Sequence, residues 1–210
     1  MLIFMKPKYI AVEGGEGSGK STLLTALKEE FGDSIIITRE PGGSPYGEVI
    51  RDSILKNPLA KQASSETLMC GMFMARFDSI KNTVCPALER GKHVITDRSD
   101  ASSYAYQVIA SGRRQQLEPA FWNLRKLMKV VPDLYIFLDV DPVEGLRRRG
   151  STTESNHIDE LPLEFHRKVR EGFLQFLPQT NRHIIIDANR SLKEVKCDFL
   201  DVIRKEISGF

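Results

Sequence analysis

The 210-residue sequence predicts an α/β fold, with a parallel sheet of about five strands covered on both faces by helices. Short apolar segments alternate along the chain with longer segments of helical periodicity, and a glycine-rich turn follows the first apolar segment. Strands that are apolar throughout are typical of parallel sheets buried on both faces. We therefore expect one three-layer α/β/α domain over residues 1–210, joined by right-handed crossovers.

The predicted elements follow in a regular order. Five segments are predicted as strands: Tyr9–Val12, Ser34–Thr38, His93–Thr96, Leu134–Val140 and His183–Asp187. Eight segments have helical spacing: Thr22–Phe31, Pro45–Leu55, Ser64–Leu88, Ser102–Ser111, Phe121–Met128, Pro142–Arg149, Leu163–Phe176 and Leu192–Ile207. We expect the third of these helices to be interrupted or bent near its ends.

The composition excludes several classes of protein. A net charge of +2 is too small to predict a nucleic-acid or membrane partner, and no apolar stretch approaches the length of a membrane span. The three cysteines lack metal-ligand spacing, and an odd count suits reduced thiols. We expect a soluble protein of the cytoplasm.

The segment Gly14–Ser21 matches the pattern G-x-x-x-x-G-K-[ST] in full, directly after a predicted strand and at the start of a helix. Such a loop directs backbone amides at phosphate oxygens, beside the positive end of the helix. A P-loop NTPase fold with an ATP or GTP site is therefore predicted. Lys20 is expected to reach the β- and γ-phosphates, and Ser21 to ligate Mg²⁺. The predicted ATP-binding residues are Gly14, Gly15, Glu16, Gly17, Ser18, Gly19, Lys20, Ser21, Thr22 and Arg147.

Two further motifs follow predicted strands. Thr38–Gly43 reads T-R-E-P-G-G, and Asp97-Arg98-Ser99 follows the third strand. Open α/β sheets bind ligands beyond the carboxyl ends of their strands, so both motifs should lie near the phosphate loop. Asp97 is predicted to hold Mg²⁺ or its waters, and Arg98 to bind a phosphate.

In order and spacing, seven segments resemble the thymidylate kinase family, in its bacterial form. They extend along most of the chain: Glu13–Thr22, Thr38–Gly43, Ala75–Arg76, Asp97–Gln107, Pro132–Arg149, Phe165–Phe173 and Asp187–Ala188. The resemblance implies Mg²⁺-dependent transfer of the γ-phosphate of ATP to dTMP or a closely related deoxynucleoside monophosphate. It also suggests a homodimer packed through helices.

The resemblance also implies roles for individual residues. Arg76 and Arg98 would hold the acceptor's phosphate, with Arg51 as a third contact, while Ser103 and Tyr106 would contact the base and crowd the sugar 2′ position. Met72 stands where the family usually has a phenylalanine, and a methionine can also lie flat against a base, with a softer contact. The predicted substrate-binding residues are Glu16, Arg39, Pro41, Arg51, Met72, Arg76, Arg98, Ser103 and Tyr106.

Three consecutive arginines, Arg147, Arg148 and Arg149, end a predicted helix and lead into a polar stretch rich in Ser, Thr, Gly and Asn. That composition predicts a small mobile lid at about residues 147–161. Some members of the resembled family carry an arginine inside the phosphate loop, where this chain has Gly17, so the lid must supply it here. Arg149 is the first candidate and Arg148 the second. Cations that only stabilise the helix C-terminus are the alternative for at least one of them. With Lys20, Arg98 and Glu16, Arg149 and Arg148 complete the predicted catalytic set.

Two other functions remain open from the sequence. A deoxynucleoside kinase shares the loop and the D-R-S motif, and would use Glu40 as a base toward a neutral hydroxyl. Glu40 could equally brace its own turn. A non-catalytic ATP-binding protein is the other alternative, although binding alone would not require Lys20, Ser21, Asp97 and the lid arginines together.

Overall fold

The computed structural model describes residues 6–150 and 161–208. In this part of the chain all five predicted strands are present in one sheet of order β2-β3-β1-β4-β5, and every neighbouring pair is parallel. The strands are β1 Tyr9–Gly14, β2 Ile35–Arg39, β3 His93–Asp97, β4 Leu134–Asp139 and β5 His183–Asp187.

Helices connect the strands and cover the sheet. They are α1 Lys20–Phe31, α2 Pro45–Leu55, α3 Ser65–Ser79, α4 Cys85–Glu89, α5 Asp100–Ser103, α6 Arg114–Lys126, α7 Pro142–Arg149, α8 Leu163–Phe176 and α9 Leu192–Ser208. None of the helices in the described ranges has both the length and the apolarity that a membrane span requires. The predicted lid begins on α7, and its residues 151–160 lie outside the described part of the chain.

The core confirms the three predicted layers. An aromatic cluster that includes Phe121 and Phe173 packs Phe137 of β4 against α6 and α8. An aliphatic cluster on the strands contains Leu27 of α1 and Phe199 of α9. Because both clusters are buried, the sheet is covered on both faces, as its apolar strands predict.

Three predicted helices differ in detail. The helix predicted over Ser64–Leu88 consists of α3 and α4 joined by a π-helical turn at Ile80–Val84, an interruption toward its C-terminal end of the kind expected from the sequence. Pro86 follows this turn; it has no amide to donate, and its ring crowds the carbonyl four residues earlier, which disfavours a regular helix there. The helix predicted over Ser102–Ser111 begins at Asp100, and from Tyr104 to Ile109 it is π-helical.

The helix predicted over Phe121–Met128 begins earlier, at Arg114. The helix continues through Pro119, which lies before the predicted start. A proline removes one backbone hydrogen bond, and the burial of Leu117 and Phe121 on the same helix offsets that loss.

The register places the carboxyl ends of three strands together. Asp97 at the end of β3 is level with Val12 of β1 and with Arg39 of β2. The segments that leave these strands are also tied to one another, because the amide of Glu40 donates to the Asp97 carbonyl at 2.9 Å. The three predicted motifs therefore meet at one edge of the sheet.

Candidate active site

The phosphate loop connects β1 to α1, as predicted. Gly17 and Gly19 have φ angles of 67° and 89°, a region that glycine enters without steric cost. The Lys20 ammonium is buried beneath the loop and donates to the carbonyls of Gly14 and Gly15 at 2.9 and 3.1 Å. Burial, and then the positive charge of Arg98, lower the pKa of Lys20 to about 8.

Helix α7 packs directly on the phosphate loop through two glycines. A Cβ atom at Gly17 would lie 2.0 Å from the Gly145 carbonyl oxygen, and one at Gly145 would lie 2.3 Å from the Glu16 carbonyl oxygen. Position 17 thus has no room for a side chain unless α7 moves. This contact fits the prediction that any arginine near the transferred phosphate comes from α7.

The three arginines at the end of α7 all line the same cavity as the loop. Glu144 accepts from Arg147 Nε and from Arg148 Nε, each at 2.7 Å, and Arg148 also donates to the Ala188 carbonyl at 2.7 Å. The charge of Arg149 lowers the pKa of Glu16. Which arginine assists transfer stays a prediction.

Arg98 and Glu16 form the centre of the site. Arg98 Nη2 donates to Glu16 Oε1 at 2.9 Å, and Arg98 Nη1 donates to the Gly14 carbonyl at 3.0 Å. The Tyr106 hydroxyl donates to the same Glu16 oxygen at 2.9 Å. Burial alone would raise the pKa of Glu16, but Arg98 and then Lys20 outweigh it and hold this pKa at about 2.

A cavity of about 300 Å³ lies beside this centre, within the range of small-molecule sites. Every residue predicted to bind the acceptor lines it. Its lining residues are Glu16, Ser21, Arg39, Glu40, Pro41, Arg51, Leu55, Met72, Arg76, Asp97, Arg98, Ser99, Ser102, Ser103, Tyr106 and Gln107. The structure therefore gathers the predicted set in one place, while the role of each residue stays a prediction.

One wall of this cavity is a buried ion pair. Arg76 Nε donates to Glu40 Oε2 at 2.6 Å, and the two side chains are 2% and 3% exposed. Arg76 Nη2 donates to Ser103 Oγ at 3.0 Å, and the Tyr9 hydroxyl donates to Glu40 Oε1 at 3.2 Å. Glu40 thus braces the wall through Arg76 and Tyr9, a role that differs from the two considered for it from the sequence, a catalytic base or a brace for its own turn.

Among the buried polar atoms of this cavity's lining residues that have no hydrogen-bond partner in the described part of the chain are Arg76 Nη1, a donor, and Gln107 Oε1, an acceptor. Buried polar atoms without partners are rare in folded proteins, and each calls for an explanation. Gln107 is absent from the predicted set. Its place in the A-Y-Q segment beside Tyr106 was the sequence feature that could have identified it.

A second cavity, of about 640 Å³, lies over the phosphate loop and α7. Its lining residues are Glu16, Gly17, Ser18, Gly19, Lys20, Ser21, Thr22, Asp97, Arg98, Glu144, Arg147, Arg148, Arg149, Ala188, Arg190, Ser191, Leu192 and Val195. Four of them also line the first cavity: Glu16, Ser21, Asp97 and Arg98. The two cavities therefore meet at these four residues.

The residues at this junction fit a hydrated Mg²⁺ ion. Asp97 Oδ1 is buried without a hydrogen-bond partner among the described residues, and Ser21 supplies a hydroxyl to both cavities. The described residues contain no group of three or more His, Cys, Asp or Glu side chains that could hold a metal. A bound magnesium ion would thus take most of its oxygen ligands from water and phosphate, as this ion commonly does.

Two further residues at the site were missed from the sequence. Glu13, at the end of β1, is fully buried and accepts from the Ser99 amide at 2.8 Å and from Ser102 Oγ at 2.6 Å. Burial raises its pKa to about 7, although Ser102 and Arg98 act in the opposite direction. Glu13 could have been identified because it is a carboxylate in an otherwise apolar strand. The second missed residue is Glu144, which precedes two arginines by three and four residues, the spacing of ion pairs on a helix.

Comparison with known proteins adds to this geometry. Residues 12–198 match the model of the Thymidylate kinase family. The chain is 36% identical over 208 residues to a thymidylate kinase of Haemophilus ducreyi, covering 96% of this chain and 95% of that protein. It is 38% identical over 191 residues to a thymidylate kinase of Chlamydia caviae, covering 89% and 92% of the two chains. Against a thymidylate kinase of Pseudoalteromonas translucida the identity is 37% over 204 residues, covering 95% and 97%.

Proposed function

This chain belongs to the thymidylate kinase family, and we propose that its two cavities bind ATP and dTMP side by side for in-line transfer of the γ-phosphate. The chain is a dTMP kinase, which converts dTMP to dTDP with ATP as the donor. The observation that carries the proposal is the junction of the two cavities at Arg98, Glu16, Ser21 and Asp97. A phosphate that binds at this junction, from either cavity, would lie beside the same four side chains.

Electrostatics explain why cations lie at and around the junction. Two phosphate groups, each with about two negative charges, repel each other by on the order of 10 kcal/mol at about 5 Å and an effective dielectric of about 20. Arg98 lies at the junction, the buried Lys20 lines the second cavity beside it, and Arg149 is close enough to act on Glu16. Their charges offset the repulsion and stabilise the charge that develops during transfer.

The reaction needs no general base, because the second pKa of the acceptor phosphate is near 6 and its oxygen is ionised at pH 7. This requirement separates a monophosphate kinase from a deoxynucleoside kinase, whose hydroxyl acceptor must lose a proton. Glu40, the candidate base for that alternative, is engaged with Arg76 and Tyr9 in the cavity wall. The wall therefore favours the monophosphate as acceptor.

The unpartnered atoms of the wall support a thymine base. Arg76 Nη1 offers a donor and Gln107 Oε1 an acceptor, on two residues that line the same cavity. The edge of thymine presents the complementary pair, a carbonyl at position 4 and an N–H at position 3. In the same orientation cytosine places an amino donor toward Arg76 Nη1 and a bare nitrogen toward Gln107 Oε1, and both protein atoms would stay unsatisfied. Met72 lines the cavity and can lie flat against the base.

Magnesium is proposed as the metal of this reaction, held by Ser21 and by Asp97 directly or through water. When bound, the ion neutralises charge on the donor phosphates. Lys20 and the loop amides orient the triphosphate, and Arg98 orients the acceptor.

A panel of acceptors tests the proposal. The purified chain is incubated with ATP and Mg²⁺, and ADP is measured after addition of dTMP, dUMP, dCMP, dGMP, ribothymidine monophosphate or thymidine. We expect ADP to accumulate with dTMP, less with dUMP, and hardly at all with dCMP or thymidine. ADP formation that is greatest with thymidine would support the nucleoside kinase, and ATP binding without turnover on any acceptor would support a binding protein.

We also propose a homodimer through the face formed by α2 and α3. Four large apolar side chains on and between these helices, Tyr46, Val49, Leu59 and Met74, are 57%, 64%, 71% and 47% exposed. They surround a shallow groove of about 810 Å³. Such clusters commonly mark an interface, and a second copy of the chain offers a matching apolar surface.

Light scattering after size exclusion tests the dimer with a matched pair of variants. Val49→Lys introduces a charge on the proposed face, whereas Val143→Lys changes a valine of similar exposure on α7. We expect the wild type and Val143→Lys to have the mass of two chains. We expect Val49→Lys to have the mass of one chain. A monomeric wild type would contradict the proposal.

A further inference from the structure

Glu13 is a fully buried carboxylate that the reaction itself does not use. It ends the apolar part of β1, immediately before the phosphate loop. One oxygen accepts from the Ser99 amide at 2.8 Å and the other from the Ser102 hydroxyl at 2.6 Å. Burying a carboxylate is costly even when it is paired, so an apolar residue would suit this strand position better. Both groups that donate to Glu13 belong to the segment that follows Arg98.

Arg98 has an unusual backbone. Its φ angle is 67°, and among the described residues it is the only non-glycine with a positive φ. L-residues disfavour this region because the Cβ atom crowds the following carbonyl, so neighbouring contacts must hold the turn. The Arg98 amide donates to the Val12 carbonyl at 2.9 Å, and the next amide, that of Ser99, donates to Glu13. Two successive amides of the turn are thus bound by two successive residues of β1.

The same carboxylate also reaches the Arg98 side chain through one intermediate. Ser102 Oγ donates to Glu13 and accepts from Arg98 Nη1 at 3.3 Å, while Arg98 Nη2 binds Glu16. Glu13 is therefore linked to both the backbone and the guanidinium of Arg98.

We propose that Glu13 is a positioning residue for phosphoryl transfer: it holds the left-handed turn that directs the Arg98 guanidinium to the junction of the two cavities. The inference rests on the proposed function, because it assumes that Arg98 binds a phosphate there. Glu13 does not contact the substrates itself, since its side chain is fully buried. A misplacement of about 1 Å in such a group can cost about a hundredfold in rate.

Asp100 provides a matched control. It is also fully buried and follows the same turn, but its carboxylate binds Tyr135 at 2.7 Å and Arg125 at 2.5 Å, on the side of the aromatic cluster. Asp100→Asn and Glu13→Gln each remove the charge of a buried carboxylate with little change of shape. The unfolding temperature of each variant reports its structural cost, and only Glu13→Gln acts on Arg98.

The test measures kcat, both KM values and the unfolding temperature of the full chain. It compares the wild type, Glu13→Gln, Asp100→Asn, Arg98→Lys and the double variant Glu13→Gln/Arg98→Lys, well below their unfolding temperatures. We expect Glu13→Gln to lower kcat by about tenfold or more with little change in the KM for ATP, and Asp100→Asn to leave kcat within about twofold. In the Arg98→Lys background, Glu13→Gln should add less than about twofold, because residues that act together are not additive.

Four results would decide against the proposal or its premise. A kcat for Glu13→Gln within about twofold of wild type would overturn the proposal, as would an equal loss of kcat with and without Arg98. If Glu13→Gln does not fold, Ser102→Ala removes one of the two links, and an unchanged kcat there would also overturn it. By contrast, a wild-type chain that forms no ADP with dTMP would reject the proposed function instead, whatever the variants do.

Discussion

The contact between Gly145 and the phosphate loop gives a prediction with an unusual sign. Gly145 lies inside α7, where alanine normally stabilises a helix by about 1 kcal/mol over glycine. A Cβ atom there would lie 2.3 Å from the Glu16 carbonyl oxygen, whereas ordinary contact begins at about 3.4 Å. In Gly145→Ala, α7 or the loop must therefore retreat by about 1.1 Å.

The cost follows from that retreat. Overpacking of this kind destabilises by about 1–3 kcal/mol, which exceeds the gain in helix propensity. A net loss of up to about 2 kcal/mol lowers the unfolding temperature of a chain of this size by a few degrees. Because the arginines that end α7 move with the helix, kcat should fall by about a hundredfold, the effect of a 1 Å displacement.

Calorimetry and a coupled ADP assay measure both effects in the same preparation. Gly71→Ala is the control: it too lies inside a helix, but its added Cβ would meet only the end of the flexible Ile54 side chain, at 2.8 Å. We expect the control to keep nearly normal kcat. A Gly145→Ala variant that unfolds at a higher temperature and retains wild-type kcat would show that the contact with the loop does not position α7.

Three further predictions concern single side chains. Lys20→Ala should reduce kcat by orders of magnitude because the buried ammonium is lost. Circular dichroism should show that the variant is still folded, and near-normal turnover would contradict the assignment of the loop as the phosphate-binding site. In steady-state assays, Arg149→Ala should lower kcat far more than it raises KM, and Arg148→Ala should do so to a smaller extent. A change in KM alone would show that the arginines bind substrate and do not contact the transition state. The pKa of Glu13 is raised from 4.5 to about 7, so the folded state holds this proton more tightly than the unfolded chain does. The free energy of unfolding should therefore fall by on the order of 3 kcal/mol as the pH rises from about 4.5 to about 7. Urea titrations at several pH values should show that Glu13→Gln lacks this pH dependence.

Most of the fold was predictable because its determinants are local. Solid apolar strands, the complete loop motif and the turns after β2 and β3 fixed the sheet and the edge at which the motifs meet. The register of the parallel strands then brings the motifs together, because the carboxyl ends of neighbouring parallel strands lie at the same edge of the sheet. The predicted acceptor residues line one cavity for that reason.

The missed features depend on contacts between distant parts of the chain. The partner of Arg76 is Glu40, 36 residues earlier, and no spacing rule links them. The early start of α6 depends on burial of Leu117 and Phe121 in a core that other elements build. Gln107 stands out only because its oxygen is buried without a partner among the described residues, a property of the folded cavity.

The junction of the two cavities has a thermodynamic consequence. Because Arg98 and Glu16 belong to both walls, an anion that binds in one cavity changes the electrostatic field and the hydrogen bonds available in the other. The affinity of each substrate must then depend on the presence of its partner, and by linkage the factor is the same in both directions. Titration of either nucleotide, with and without a saturating unreactive analogue of the other, would give that coupling free energy from two independent routes.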